Sequence, residues 1–169
     1  MRGAYIKPVL LCLLVVLALC SCGKKVTDEE LIRAAINKAA EAAGAKDTAG
    51  VMKFVSKDYR DDSGLDYNGI KGVIFGEFFR PGKIQVFVTG ITVEVKGDRA
   101  LVTAKTALAR GRDVKSIKDI LPDNADASKF TLIFKKEGTV EPPQGVEPPQ
   151  GDWKLVNAAW ESISVAGLL

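Results

Sequence analysis

The chain has 169 residues, with 24 Lys and Arg against 21 Asp and Glu, a net charge of +3, and no histidine. Its three cysteines, Cys12, Cys20 and Cys22, all lie within the first 22 residues. The remainder therefore has no residue for a zinc finger, a thiol nucleophile, a Cys–His pair or a Ser–His–Asp triad, and no disulfide staples it. The length fits one domain, and 47% apolar with 27% charged residues is a folded composition. Only Arg2 and Lys7 are charged before residue 22, so residues 22–169 carry 22 basic and 21 acidic side chains. That balance is no footprint for a nucleic-acid partner. No metal or cofactor is expected.

Residues 1–21 have the layout of a secretion signal. Arg2 and Lys7 make a positive start, and Val9 to Leu19 is an unbroken apolar run of 11 residues. As a helix it is only ~16 Å long, short for a bilayer core of ~30 Å. Leu19-Cys20-Ser21-Cys22 follows and resembles the lipobox of bacterial lipoproteins. Cys22 fits the invariant cysteine better than Cys20, because small Ser21 precedes it and Leu19 stands three positions before it. The resemblance implies cleavage before Cys22, diacylglycerol on its sulfur and N-acylation, with palmitate-type chains as the membrane anchor. Residue 23 is Gly and not Asp. The enterobacterial inner-membrane retention signal is thus absent, and an outer-membrane location facing the periplasm is expected. Residues 22–26 are then a short tether, and 27–169 a single domain.

The first helix is expected from Thr27 to Ala43. Thr27 and Glu30 form a capping box, and Leu31, Ala35, Ile36 and Ala39 make one apolar stripe. A second, short helix starts at Asp47 and runs to Val55. A third covers Asp66 to Phe79, with Ile70, Val73, Ile74 and Phe78 as its inner face, before Arg80-Pro81-Gly82 ends it. From Lys83 the pattern changes to alternation. Ile84, Val86 and Val88 keep one phase; Ile91, Val93 and Val95 keep the other. The slip at Thr89-Gly90 predicts a bulge in one long strand, Ile84–Lys96. Gly97-Asp98 predicts a tight turn into a second strand, Arg99–Arg110. Gly111 to Ala127 is expected to be a polar connection with some helical turns before Pro122. Further strands are expected at Lys129–Lys136 and Asp152–Ser164. Between them, Val140 to Gly145 is repeated unchanged as Val146 to Gly151. We expect a Pro-rich loop insertion at 138–151, tolerated at the surface because added loop length costs little.

Helices followed by long hairpin-linked strands give an α+β order. Helix–helix–loop–helix, the bulged strand 84–96, the Gly97-Asp98 turn and Asp152-Trp153-Lys154-Leu155 opening the last strand are similar to the nuclear transport factor 2-like superfamily. That superfamily has a cystatin-like α+β cone and includes ketosteroid isomerases and polyketide cyclases. The resemblance implies N-terminal helices packed on a strongly curved antiparallel sheet, with a pocket at the wide end. It also implies a weak strand at Asp58 to Asp61. Homodimers through the open sheet face occur in the superfamily and are an expectation for this chain.

No residue matches a catalytic pattern of the superfamily, so no catalytic residue is assigned. Tyr59, Tyr67, Phe87, Asn157 and Trp160 are the candidate pocket residues. The carboxylates of Asp58 to Gly64 are expected to be solvated, which leaves them poor acid–base groups. The expected function is a lipid-anchored binding or interaction module of the cell envelope, taking a small apolar ligand or an envelope protein. The alternative is a small isomerase- or cyclase-type enzyme that uses Asp and Tyr in the pocket.

Overall fold

The computed structural model describes residues 26–111, 125–138, 151–164 and 168. The leader with Cys22, the expected helical turns before Pro122 and the Pro-rich repeat lie outside them. Three helices precede four strands: α1 (Asp28–Gly44), α2 (Thr48–Met52), α3 (Tyr67–Phe79), β1 (Ile84–Lys96), β2 (Arg99–Arg110), β3 (Ala125–Glu137) and β4 (Asp152–Ser162). The strands form one antiparallel sheet in the order β1-β2-β3-β4.

The capping box of α1 is complete. Thr27 Oγ1 accepts from Glu30 N, and Glu30 Oε2 accepts from Thr27 N at 2.8 Å. Asp28, Glu29 and Glu30 fill the first turn, where the helix dipole favours negative charge. Ile32 and Ile36, one turn apart, are buried against Ala100, Val102, Phe134 and Trp153. Each such burial contributes about 2 kcal/mol. This places α1 across the inner face of the sheet.

Helix α2 stops at Met52, short of the expected Val55. The backbone turns there to meet β4: Leu155 N donates to Phe54 O, and Ser56 N donates to Leu155 O. The weak strand expected at 58–61 is reduced to single bridges, Val55 with Leu155 and Arg60 with Asp66. Helix α3 is capped by Asp66, whose side chain accepts from Gly69 N. Ile70 and Ile74 pack on Met52, Val55, Tyr59 and Ala158. Val73, expected inside, is 47% exposed, and Phe75 and Phe79 stack on each other outside. The helix is apolar nearly all round, so its sequence period does not identify the inner side.

In β1 the register with β2 shifts between Thr89 and Thr92, and Gly90 takes a positive φ of 57°. The phase slip in the sequence is this bulge. Gly97 has φ 63° at the first central position of the turn, as a type II′ hairpin requires. Strand β3 begins at Ala125, four residues before the expected Lys129, because Ala125 to Ser128 pair in register with β2. A second shift, at Ile133/Phe134, offsets β4. Bulges increase twist and bend a sheet. Alternation then gives two faces. The inner one holds Val88, Val93, Val102, Leu132 and Phe134 under α1. The outer one carries Phe87, Ala107 and Ala127, covered by Ile163 and Leu168.

One junction ties the start of α1 to the sheet. Asp28 Oδ1 accepts from Lys136 Nζ at 2.8 Å and from Trp153 Nε1 at 2.9 Å. The Lys136 ammonium, aided by the indole N–H, holds the carboxyl below its ordinary 3.8 although burial opposes this. A lowered folded-state pKa means stabilisation that is complete above the unfolded value and lost as the pH falls through the folded one. Asp28→Ala should cost about 2 kcal/mol at neutral pH, since it leaves the buried indole N–H without an acceptor. Asp28→Asn should cost roughly half as much, because its amide oxygen still accepts. Urea unfolding checks both. The gap between wild type and Asp28→Asn should close as the pH falls below 3.8.

Candidate functional site

The segment from Phe54 to Arg60 runs beside β4 and builds the first candidate site. Besides the bonds at Leu155, Arg60 N donates to Val156 O, and Asn157 Nδ2 donates to Arg60 O at 2.9 Å. This leaves Tyr59 1% exposed between α3 and β4. Its hydroxyl donates to Asp61 Oδ2 at 3.1 Å. Asp61 Oδ1 accepts from Ser63 N and Leu65 N at 3.0 and 2.9 Å. Asp61 is therefore buried, at 8% exposure. Asp58 and Asp62 are exposed as expected, but the expectation of a solvated carboxylate is corrected at Asp61. Three donors compensate the desolvation of this charge.

The Tyr59–Asp61 pair has the composition of an acid–base dyad, but its bonds are already committed to closing the loop. Burial first, and the Asp61 carboxylate second, push the Tyr59 hydroxyl well above its ordinary value. It stays protonated at neutral pH, with its proton turned to Asp61. A polar cleft of about 420 Å³ lies outside, lined by Lys57, Asp58, Tyr59, Arg60, Asp66 and Tyr67 among others. Lys57 Nζ sits 3.6 Å over the Tyr67 ring, a cation–π contact at its mouth.

The second candidate is apolar. Phe130 and Trp160 are cross-strand partners on β3 and β4, with ring centroids 6.2 Å apart. They continue the inner-face row Ala104–Phe130–Trp160. Trp160 remains 47% exposed. Ser128 and Ser162 form the next row toward the strand ends.

The five candidate pocket residues do not line one cavity. Tyr59 and Tyr67 share the polar cleft, and Asn157 is tied to its backbone at Arg60. Trp160 belongs to the inner-face aromatic pair. Phe87 is on the outer face against Ala107, and also borders a groove between α1 and β1. Its odd phase within Ile84–Val88 already set it opposite Ile84, Val86 and Val88. What sequence reasoning missed was Asp61 as a buried loop anchor and Phe130 as the partner of Trp160. The spacing of Phe130, Leu132 and Phe134 signalled a shared face but not its opposite strand. Among the described residues, no group of three or more Cys, His, Asp or Glu side chains forms a metal site.

No family model matches the sequence, and no curated protein matches it. Solved structures do. A Bdellovibrio bacteriovorus protein superposes with a TM-score of 0.59 at 13% identity, covering 80% of this chain and 40% of that one. The chain thus spans less than half of that protein's length. A nuclear transport factor 2-like protein of unknown function from Pseudomonas putida gives 0.57 at 16% identity, over 76% and 82% of the two chains. A Streptomyces avermitilis protein, provisionally assigned as a dehydratase of the nuclear transport factor 2-like family, gives 0.58 at 19% identity over 80% and 96%. Identities this low carry the fold and not the activity. The chain has the nuclear transport factor 2-like fold, an α+β cone of helices on an antiparallel sheet.

Proposed function

We propose that the chain is a lipid-anchored module of the bacterial cell envelope, held by Cys22 in the outer membrane and facing the periplasm. Its cone binds a small apolar ligand on the inner-face aromatic pair. The observation that carries the ligand is Trp160, half exposed beside Phe130 on the face that the helices otherwise cover. An exposed aromatic platform on the concave side of a sheet is apolar surface left in contact with water, which a hydrophobic ligand relieves. The lipobox at Leu19–Cys22 supports the anchor. The absence of histidine, together with the engagement of Tyr59 and Asp61 in their own loop, favours binding over catalysis.

The enzyme reading draws support from the buried Tyr59–Asp61 pair and from the provisional dehydratase and hydroxylase assignments of solved structures with this fold. For this chain it requires Tyr59 and Asp61 to exchange protons with a substrate. Asp61 would then release donors that now close the loop, and a polar group left unmatched in that setting costs about 1–3 kcal/mol.

Three outcomes follow. Cys22→Ala should abolish incorporation of labelled palmitate; labelling that persists on Cys22→Ala and disappears on Cys20→Ala moves the site. Trp160→Ala should weaken capture of a fluorescent fatty-acid probe about tenfold, in line with the ~1–1.5 kcal/mol of an aromatic contact, while leaving the melting midpoint within a few degrees. Tyr59→Phe should lower stability by about 1–2 kcal/mol through the lost bond to Asp61, with probe binding unchanged. Loss of probe binding on Tyr59→Phe in a folded protein would return Tyr59 to the site.

A further inference from the structure

The outer face of the sheet carries a charge pattern that the fold does not use. The registers pair Lys96 with Arg99, Arg99 with Lys135, and Lys135 with Lys154. Four cations therefore stand in one row across all four strands, at the end where β1 turns into β2. Like charges directly opposite each other in a sheet destabilise it. Lys154 is relieved by Asp152 and by the carbonyl of Lys53. Lys96, Arg99 and Lys135 have no ion-pair partner among the described residues. The next row on the same face holds Glu94, Leu101, Ile133 and Asn157, with Leu101 46% exposed. The row after it is Thr92, Thr103, Thr131 and Ala159. The surface is thus a rim of four cations with Glu94 behind it and Asp98, Glu137 and Asp152 beside it, and with an exposed leucine and small neutral side chains further along the face.

The chain's N-terminal end enters at the same end of the sheet, from its inner face. Asp28 is bonded to Lys136 and Trp153, the residues next to Lys135 and Lys154. Cys22 precedes Asp28 by six residues, a reach of at most about 20 Å at ~3.4 Å per residue. We propose that this rim docks the outer sheet face on the anionic lipid headgroups of the membrane that holds the anchor. The proposal rests on the reading of Cys22 as the lipid attachment point, which supplies the proximity. Phosphate groups provide the opposite charge that the row lacks, and Leu101 reaches the boundary beneath them.

The test uses the full chain reconstituted in vesicles of phosphatidylcholine, with or without about one-third phosphatidylglycerol to supply anionic charge. Acetylation rates at single lysines are followed by mass spectrometry, and the same peptides report the mass at Cys22. Lys96 and Lys135 should react about fivefold more slowly on the anionic vesicles, with Lys38 on α1 unchanged as a reference. The protection should vanish in about 1 M salt, where screening acts over ~3 Å. It should also fall away in Arg99→Glu, which leaves both reporter lysines in place. Equal rates on the two vesicles overturn the proposal. Equal protection on neutral vesicles assigns the face to a second copy or another protein and also overturns it. Salt-sensitive protection with Cys22 unmodified supports the rim and removes the anchor reading alone.

Discussion

One carboxylate oxygen fixes how the helices lie on the sheet. Asp28 Oδ1 receives both the Lys136 ammonium and the Trp153 indole N–H, joining the first turn of α1 to β3 and β4 across more than a hundred residues of chain. The helix is capped one residue earlier, at Thr27, so the clamp acts on a rigid turn. With that end fixed, Ile32 and Ile36 fall onto Ala100, Val102 and Phe134. Burial supplies most of the energy, but it is not directional. The hydrogen bonds select one position along the groove.

A second constraint follows from the edge of β4. Leu155 and Val156 take up the backbone of Phe54 to Arg60, so the chain between α2 and α3 is held as closely as a strand. Tyr59 is carried inward by this pairing and Asp61 closes the turn behind it. The polar atoms in that region serve the architecture. The Tyr59 hydroxyl is committed to Asp61, whereas among the described residues no side-chain hydrogen bond ties the Phe130–Trp160 pair.

Much of the scaffold was legible in the residues. The Thr27/Glu30 box, the phase slip at Thr89-Gly90 and the Gly97-Asp98 turn each carry a local cause, and each appears where that cause places it. Ala125 to Ser128 was not legible as strand. Its Ala-Asp-Ala-Ser sequence has little strand preference, and pairing with β2 overrides it. The inner side of α3 was hidden because apolar residues occur all round it. The site was harder still. Asp61 is buried through bonds to backbone N–H groups two and four residues on, and such loop closure leaves no periodic trace. Phe130 and Trp160 meet only because a register shift at Ile133/Phe134 sets which β4 residues face β3.

The bulge at Gly90 has a consequence beyond curvature. Strand β1 is 13 residues long and stands at the end of the strand order. A long, regular edge of unpaired amides is a template on which another chain can add a strand. Gly90 breaks that template near its middle, and α1 lies along part of its length. The kink that bends the sheet around its helix therefore also interrupts that template, in a strand whose far half carries the charges of Glu94 and Lys96.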